Sequence, residues 1–333
     1  GSFRHLVKSA VQHGVQNDIN LEVKSGLGIR LPAQKAARNQ GCQKKCSLCN
    51  HREWSGTLRR VVIPKRPQRV AQINALMAAV PIGLSRNGEI RLLFEDDRYL
   101  AVLKPAGLLV HKTPIDAYEN ENLRDILRDY HSGRLDPVHR LDKPTSGVIV
   151  FGKDAPAINA CKAQFEARQT QKEYLALVRG HVLHQGGIAK PLPKGMDGPP
   201  KPAQTEFTPL ARCELSYAVS RYDTARFSLM KCTPHTGRYH QIRLHMRHFR
   251  HPIIGDSQHG DKHQNRAFTE RIGIQGLMLH ARRFAFAHPD GGTLDITASL
   301  PPRWTPLEAA TQWDLSPYRN DAARRNNKPL SHR

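Results

Sequence analysis

The sequence predicts an α+β fold, a mixed and mostly antiparallel sheet flanked by helices and loops, on three observations. Short runs rich in β-branched and aromatic residues recur at hairpin-like spacing between residues 90 and 300. Only a few segments between them carry the three-and-four spacing of an amphipathic helix. Strands and helices do not alternate one for one, as a doubly wound parallel sheet would require.

Taken in order, residues 90–97 and 100–105 read as two strands joined by an acidic turn. Residues 122–131 place Leu123, Ile126, Leu127 and Tyr130 at helical spacing. Val148 to Phe151 is an apolar run that suits a buried strand. Asp154 can then cap a helix that has Pro156 in its first turn and Ile158, Cys161 and Phe165 on one face. Residues 172–182, 205–215 and 226–233 suit strands, whereas 186–202, rich in Gly, Pro and Lys, predicts an exposed loop able to clamp a polyanion. Residues 238–249 predict the second major helix, and 277–288 with 293–300 finish the sheet. The organisation expected is a basic extension over residues 1–88, a catalytic domain over 89–315 and a basic tail over 316–333.

The stretch that carries chemistry is His139-Arg140-Leu141-Asp142-Lys143-Pro144-Thr145-Ser146-Gly147. It sets a lone carboxylate among cations and hydroxyls immediately before the buried run. One Asp cannot work as a glycosidase pair, which needs two carboxyl groups. It can attack a sugar carbon or take a proton if it is kept ionised and shielded from bulk water. A buried carboxylate is pushed toward its neutral form, so the site needs a cation within roughly 4 to 6 Å.

The H-R-L-D-x-x-T-S-G pattern resembles the catalytic signature of the RluA-type pseudouridine synthases, which isomerise uridine in RNA. Lys172-Glu173-Tyr174-Leu175-Ala176-Leu177-Val178 is similar to the segment that carries their active-site tyrosine, and Thr236-Gly237-Arg238-Tyr239-His240-Gln241-Ile242-Arg243-Leu244-His245 to their basic third motif. Gly255-Asp256-Ser257-Gln258-His259-Gly260-Asp261 and Leu277-Met278-Leu279-His280-Ala281 resemble the TruC-like tRNA branch. The resemblance spans residues 90–300 and implies the pseudouridine synthase catalytic fold, chemistry without a cofactor, and tRNA as substrate, with ribosomal RNA next.

Residue by residue, the resemblance makes Asp142 the catalytic carboxylate and Arg243 the cation that pairs with it, where a guanidinium fork would direct the carboxylate better than an ammonium. It gives Tyr174 the face on which detached uracil rests and a phenol to relay the C5 proton. Arg140 would enter the space left by a uridine flipped from its stack. His139, Arg238 and His240 would contact substrate, and Leu279 would pack on the uracil ring. The competing reading is a catalytically silent RNA scaffold, such as a ribosome-assembly factor.

Composition points the same way independently. Against 29 acids stand 51 Lys and Arg, a net charge of +22, which predicts affinity for polyanions. Residues 1–88 carry 15 of these cations and 3 acids, so the extension is expected to contact phosphates, and with the tail to reach ribosomal or assembly-particle proteins. The run from Phe3 to Asn17 holds Arg4 and Lys8 and no acid, which leaves the mitochondrial matrix and the cytoplasm as the expected compartments. No run reaches the ~20 apolar residues that span a membrane. Cys42, Cys46, Cys49 and His51 are spaced closely enough for a structural zinc knuckle in a segment with little core of its own.

Overall fold

The apolar run after the Asp142 loop has no polar face to give to water: Val148, Ile149, Val150 and Phe151 are at most 1% exposed. Such a run is stable only as a strand covered on both sides. The computed structural model describes residues 81–112, 119, 121–193 and 198–326, and before them the backbone of three short strands, Leu21–Lys24, Ile29–Arg30 and Leu58–Val61. Those three form an antiparallel sheet within a first unit, residues 1–73. Cys42, Cys46, Cys49 and His51 lie outside the described residues. The second unit, residues 74–333, carries every motif named above that bears on catalysis.

That unit begins with a hairpin of β1 (Pro81–Ser85) and β2 (Gly88–Glu95), extended by β3 (Tyr99–Lys104). Helix α1 (Leu123–Tyr130) follows, capped by the Asn122 side chain, and buries Leu123 and Leu127. The covered run is β4 (Ser146–Gly152), and α2 (Ala155–Glu166) starts at the Asp154 cap and buries Ala157, Ile158 and Cys161. Next come β5 (Gln171–Arg179), β6 (Thr205–Leu215), β7 (Ala225–Pro234), α3 (Gln241–His248) and α4 (Lys262–Ile272). The described residues continue with β8 (Leu279–Ala287), β9 (Thr293–Thr297), α5 (Thr305–Thr311) and β10 (Ala322–Asn326). Each fully buried apolar side chain contributes about 1.5–3 kcal/mol, and they gather in three clusters along the two faces of one sheet.

The sheet runs β6-β7-β5-β8-β4-β3-β2-β1, with the short strand Gly186–Ile188 outside β6, and is antiparallel except where β8 meets β4. There β8 forks: His280 and Ala281 pair with Ser146 and Gly147, while Arg283 to Ala287 pair with β9. The parallel contact requires glycine. Gly147 has φ +125°, and a Cβ there would lie 2.2 Å from the Ala281 carbonyl oxygen. The glycine that ends the Asp142 motif thus lets the two halves of the sheet join, and it sets Asp142 beside β5 and β8.

Structure continues across both expected boundaries. The catalytic unit takes in residues before 89, because β1 pairs with β2 and Ile82 packs among Ile90, Leu123 and Leu127. Pro81 and Gly83 hide that strand from a pattern search. Within the expected tail, β10 extends the sheet from β9 and Asp321 pairs with Arg91 at 3.2 Å. Arg324 and Arg325 are exposed on this edge strand, where only backbone pairing is needed. The 186–202 segment is likewise not wholly exposed: Ile188 and Leu192 are buried, and Leu192–Pro193 pairs with Pro200–Lys201.

Candidate active site

Asp142 stands on a loop held from beneath. Leu141 is buried, the Thr145 N–H donates to the Asp142 carbonyl at 3.0 Å, and the Gly107 N–H donates to the Lys143 carbonyl at 2.8 Å. Lys104, at the end of β3, is fully buried and spreads its three N–H bonds over Pro105 O (2.9 Å), Leu108 O (2.7 Å) and Lys143 O (3.0 Å). Burial lowers this ammonium to about 7, against the pull of the Asp142 charge.

Across from it, the third motif folds around Gln241. Its amide accepts from Thr236 Oγ1 (2.7 Å) and the Arg238 N–H (3.0 Å), and donates to Gln204 O and Thr205 Oγ1, both at 2.9 Å. With all four bonds made, a buried amide fixes the start of α3 firmly. His240 precedes it in the left-handed region, at φ 48°, and Arg243 lies three residues on, 3% exposed.

Arg243 faces two carboxylates, and its fork goes to the one without an expected role. Its Nε and Nη2 donate to Asp256 Oδ2 and Oδ1 at 2.7 and 2.8 Å, and Nη2 also reaches Gln258 Oε1 at 3.1 Å. Asp142 receives a single contact, Nη1 to Oδ2 at 3.4 Å. The expected bidentate grip on Asp142 is therefore corrected: the guanidinium is oriented by Asp256 and offers its remaining edge to Asp142. Burial favours a neutral Asp256, yet Arg243 and the His259 and Gln258 N–H groups outweigh it and hold the carboxyl below its usual range. Glycine again makes room, since a Cβ on Gly255, at φ +76°, would strike the Gly276 carbonyl oxygen at 1.9 Å.

These groups open on a cleft of about 530 Å³ that Arg140, Asp142, Tyr174, Arg238, Arg243 and Leu279 all line. Tyr174 lies on β5 opposite Ala281 of β8 and Cys232 of β7. Burial first, then the Asp142 charge, raises its phenol above the ordinary value. Leu279 is 3% exposed and forms part of the wall. Arg140 is exposed, with its guanidinium 5.9 Å from the Tyr239 ring centre. Arg238 donates to Pro202 O at 3.0 Å. His139 also borders the cleft, but its Nε2 accepts from the Val150 N–H at 3.2 Å and its ring packs 4.6 Å from that of Phe284. Burial drops it to about 3, so it braces the loop as a neutral ring.

Residues 98–248 match the sequence family described as RNA pseudouridylate synthase. The tRNA pseudouridine synthase C of Pasteurella multocida (strain Pm70) is 42% identical over 238 residues, which cover 68% of this chain and 98% of the relative. That of Vibrio cholerae is 39% identical over 238 residues, again 68% and 98%. The chain belongs to the RluA-type RNA pseudouridine synthases, in their TruC-like branch. The solved structure of human RNA Pseudouridylate Synthase Domain Containing 4 shares its fold, with a TM-score of 0.53 at 23% identity over 72% of this chain and 97% of the other.

The synthase is thus an isomerase acting on RNA, and such enzymes need no cofactor for catalysis. Asp256, Gln258 and Lys104 were the residues that sequence reasoning left without a role. The signals were present: an acid trapped between Gly255 and the next turn, and a lysine closing the apolar run Leu100 to Leu103 ahead of a proline. Neither said which partner it would meet.

Proposed function

We propose that this synthase converts a uridine of tRNA to pseudouridine, with Asp142 as the carboxylate that acts on the ribose. The observation that carries this reading is the division of Arg243 between a locked Asp256 and a lightly held, partly exposed Asp142 at the wall of the cleft. A carboxylate gripped by a full fork would have to lose hydrogen bonds in order to react, whereas Asp142 has one long contact to give up. The choice of tRNA rests on the names of the relatives.

The reaction breaks the ribose C1′ to uracil N1 bond, turns the base in place, joins C1′ to C5, releases the C5 proton to water and leaves a proton taken from water on N1, so no atom is gained or lost. Asp142 begins it by attacking C1′ or by taking the C2′ proton, and both routes need the same ionised, shielded oxygen. Tyr174 supplies a flat face for the free base. Because its phenol keeps its proton, it relays the C5 proton by receiving it at oxygen as its own hydrogen passes to water. Arg140, exposed beside Asp142 and backed by Tyr239, fills the stack that the flipped nucleotide leaves. The cations of residues 1–88 add phosphate contacts.

The test is tritium release from unmodified tRNA and, separately, ribosomal RNA labelled at uracil C5, followed by mapping of the pseudouridines formed. Release from tRNA alone supports the proposal. Release from ribosomal RNA alone replaces the substrate, and release from neither replaces the activity with RNA holding.

A further inference from the structure

His240 and His259 form a bonded pair beside Asp142 whose proton can be placed by elimination. His240 Nδ1 lies 2.9 Å from His259 Nε2, with the rings at 70° and 5.1 Å between centres. The other nitrogen of His240, Nε2, lies 3.8 Å from Asp142 Oδ2. Tyr239 stacks on His240 at 3.7 Å and 21°, which keeps the imidazole in this plane.

Burial lowers His240 to about 4 and lowers His259 too, so at neutral pH each ring has one N–H and one lone pair. Asp142, Asp256 and Arg243 face both rings, and Arg247 also faces His259. Two arrangements satisfy the bond between the rings. In the first, His240 donates from Nδ1 and turns the lone pair of Nε2 toward the Asp142 carboxylate, which is repulsive. In the second, His259 donates from Nε2, and His240 presents Nε2–H to Asp142. Electrostatics selects the second.

We propose that His259 is a positioning residue that fixes this tautomer and makes His240 the second donor facing Asp142, alongside Arg243. At 3.8 Å the contact is a directed charge–dipole interaction rather than a hydrogen bond. The same turn serves both donors. Asp256 orients Arg243 through its two oxygens and accepts the backbone N–H of His259 at 3.0 Å, so residues 256–259 aim two groups of α3 and its cap at one carboxylate. The inference rests on Asp142 as the reactive group.

The experiment reads the tautomer first, in the full wild-type chain with 15N-labelled imidazoles, by long-range proton–nitrogen correlation at neutral pH, with His240→Gln to assign the signals. Protonated Nε2 and bare Nδ1 on His240 are expected; the reverse overturns the proposal. Single-turnover tritium release from unmodified tRNA then compares His259→Leu, expected to slow about tenfold, with His259→Gln, whose side-chain N–H should restore most of the rate. An unchanged rate in a folded His259→Leu, with Asp142→Asn inactive, overturns the positioning role alone. Full turnover by Asp142→Asn instead overturns the underlying assignment of Asp142, whatever the tautomer.

Discussion

Asp142 and Asp256 share one guanidinium and have opposite surroundings. The Asp256 side chain is 1% exposed and accepts four hydrogen bonds, two from Arg243 and two from backbone N–H groups. The Asp142 side chain is 17% exposed and takes one bond of 3.4 Å from the same Arg243. Had both carboxylates been gripped alike, neither could move toward a ribose without losing an ion pair. The contrast leaves one carboxylate locked into the fold and the other lightly held, as the role proposed for Asp142 requires, with Arg243 as the shared element.

The largest effect expected is on turnover at Asp142. Asp142→Asn should lower the single-turnover rate by more than about 10³-fold, over ~4 kcal/mol of barrier, while urea unfolding shifts by no more than about 1 kcal/mol, because the buried Arg243 keeps its two bonds to Asp256. A rate within roughly tenfold of wild type would remove Asp142 from the chemistry. Asp256→Ala should behave in the opposite way. It leaves Arg243 buried without its main partner, so a loss of about 3–5 kcal/mol in unfolding free energy is expected. An Asp256→Ala protein as stable as wild type would show that the two carboxylates are not divided as described.

Next in size is Arg243→Lys. A lysine ammonium has no planar fork and cannot bond both Asp256 oxygens while reaching Asp142. Turnover should fall by about 10²-fold, with tRNA affinity, measured by filter binding, within a factor of about three. If affinity collapsed and turnover at saturation held, Arg243 would be binding RNA instead of orienting Asp142.

How far this contrast was visible beforehand depends on the reach of each interaction. Asp142 was legible because its neighbours in sequence form the loop, and Gly147 and the apolar residues after it place that loop at a strand end. The helices capped by Asn122 and Asp154 were legible for the same local reason. Helix α4 was not, because its buried residues are Gln264 and Phe268, too few and too polar to mark a face. Asp256 was hidden more deeply. Its role comes from Arg243, thirteen residues away across a turn, and from a glycine that fits only against Gly276. One of the three carbonyls that the buried Lys104 bonds comes from Lys143, distant in sequence. Patterns of two and 3.6 residues record which side of an element is apolar, not which polar groups meet when distant elements pack.

Lys104 provides the smallest test and probes the Asp142 side of the comparison from below, since one of its three bonds holds the loop at Lys143 O. Burial lowers its folded value from 10.5 to about 7. Between those two values the unfolded chain binds more protons than the folded one, so stability rises with pH through this window and levels off above it. Below pH 7 both states are charged and the cost of burying the ammonium is fully present. In Lys104→Met this contribution disappears, while the titrations of the remaining lysines, tyrosines and cysteines are shared with the wild type. The difference between the two proteins in unfolding free energy should therefore change with pH, in favour of the wild type, by up to about 1.4 kcal/mol per pH unit. Urea unfolding of both proteins from pH 6.5 to 10 gives that difference directly, and a flat line would mean that Lys104 keeps its proton throughout and holds the Asp142 loop with three bonds at every pH tested.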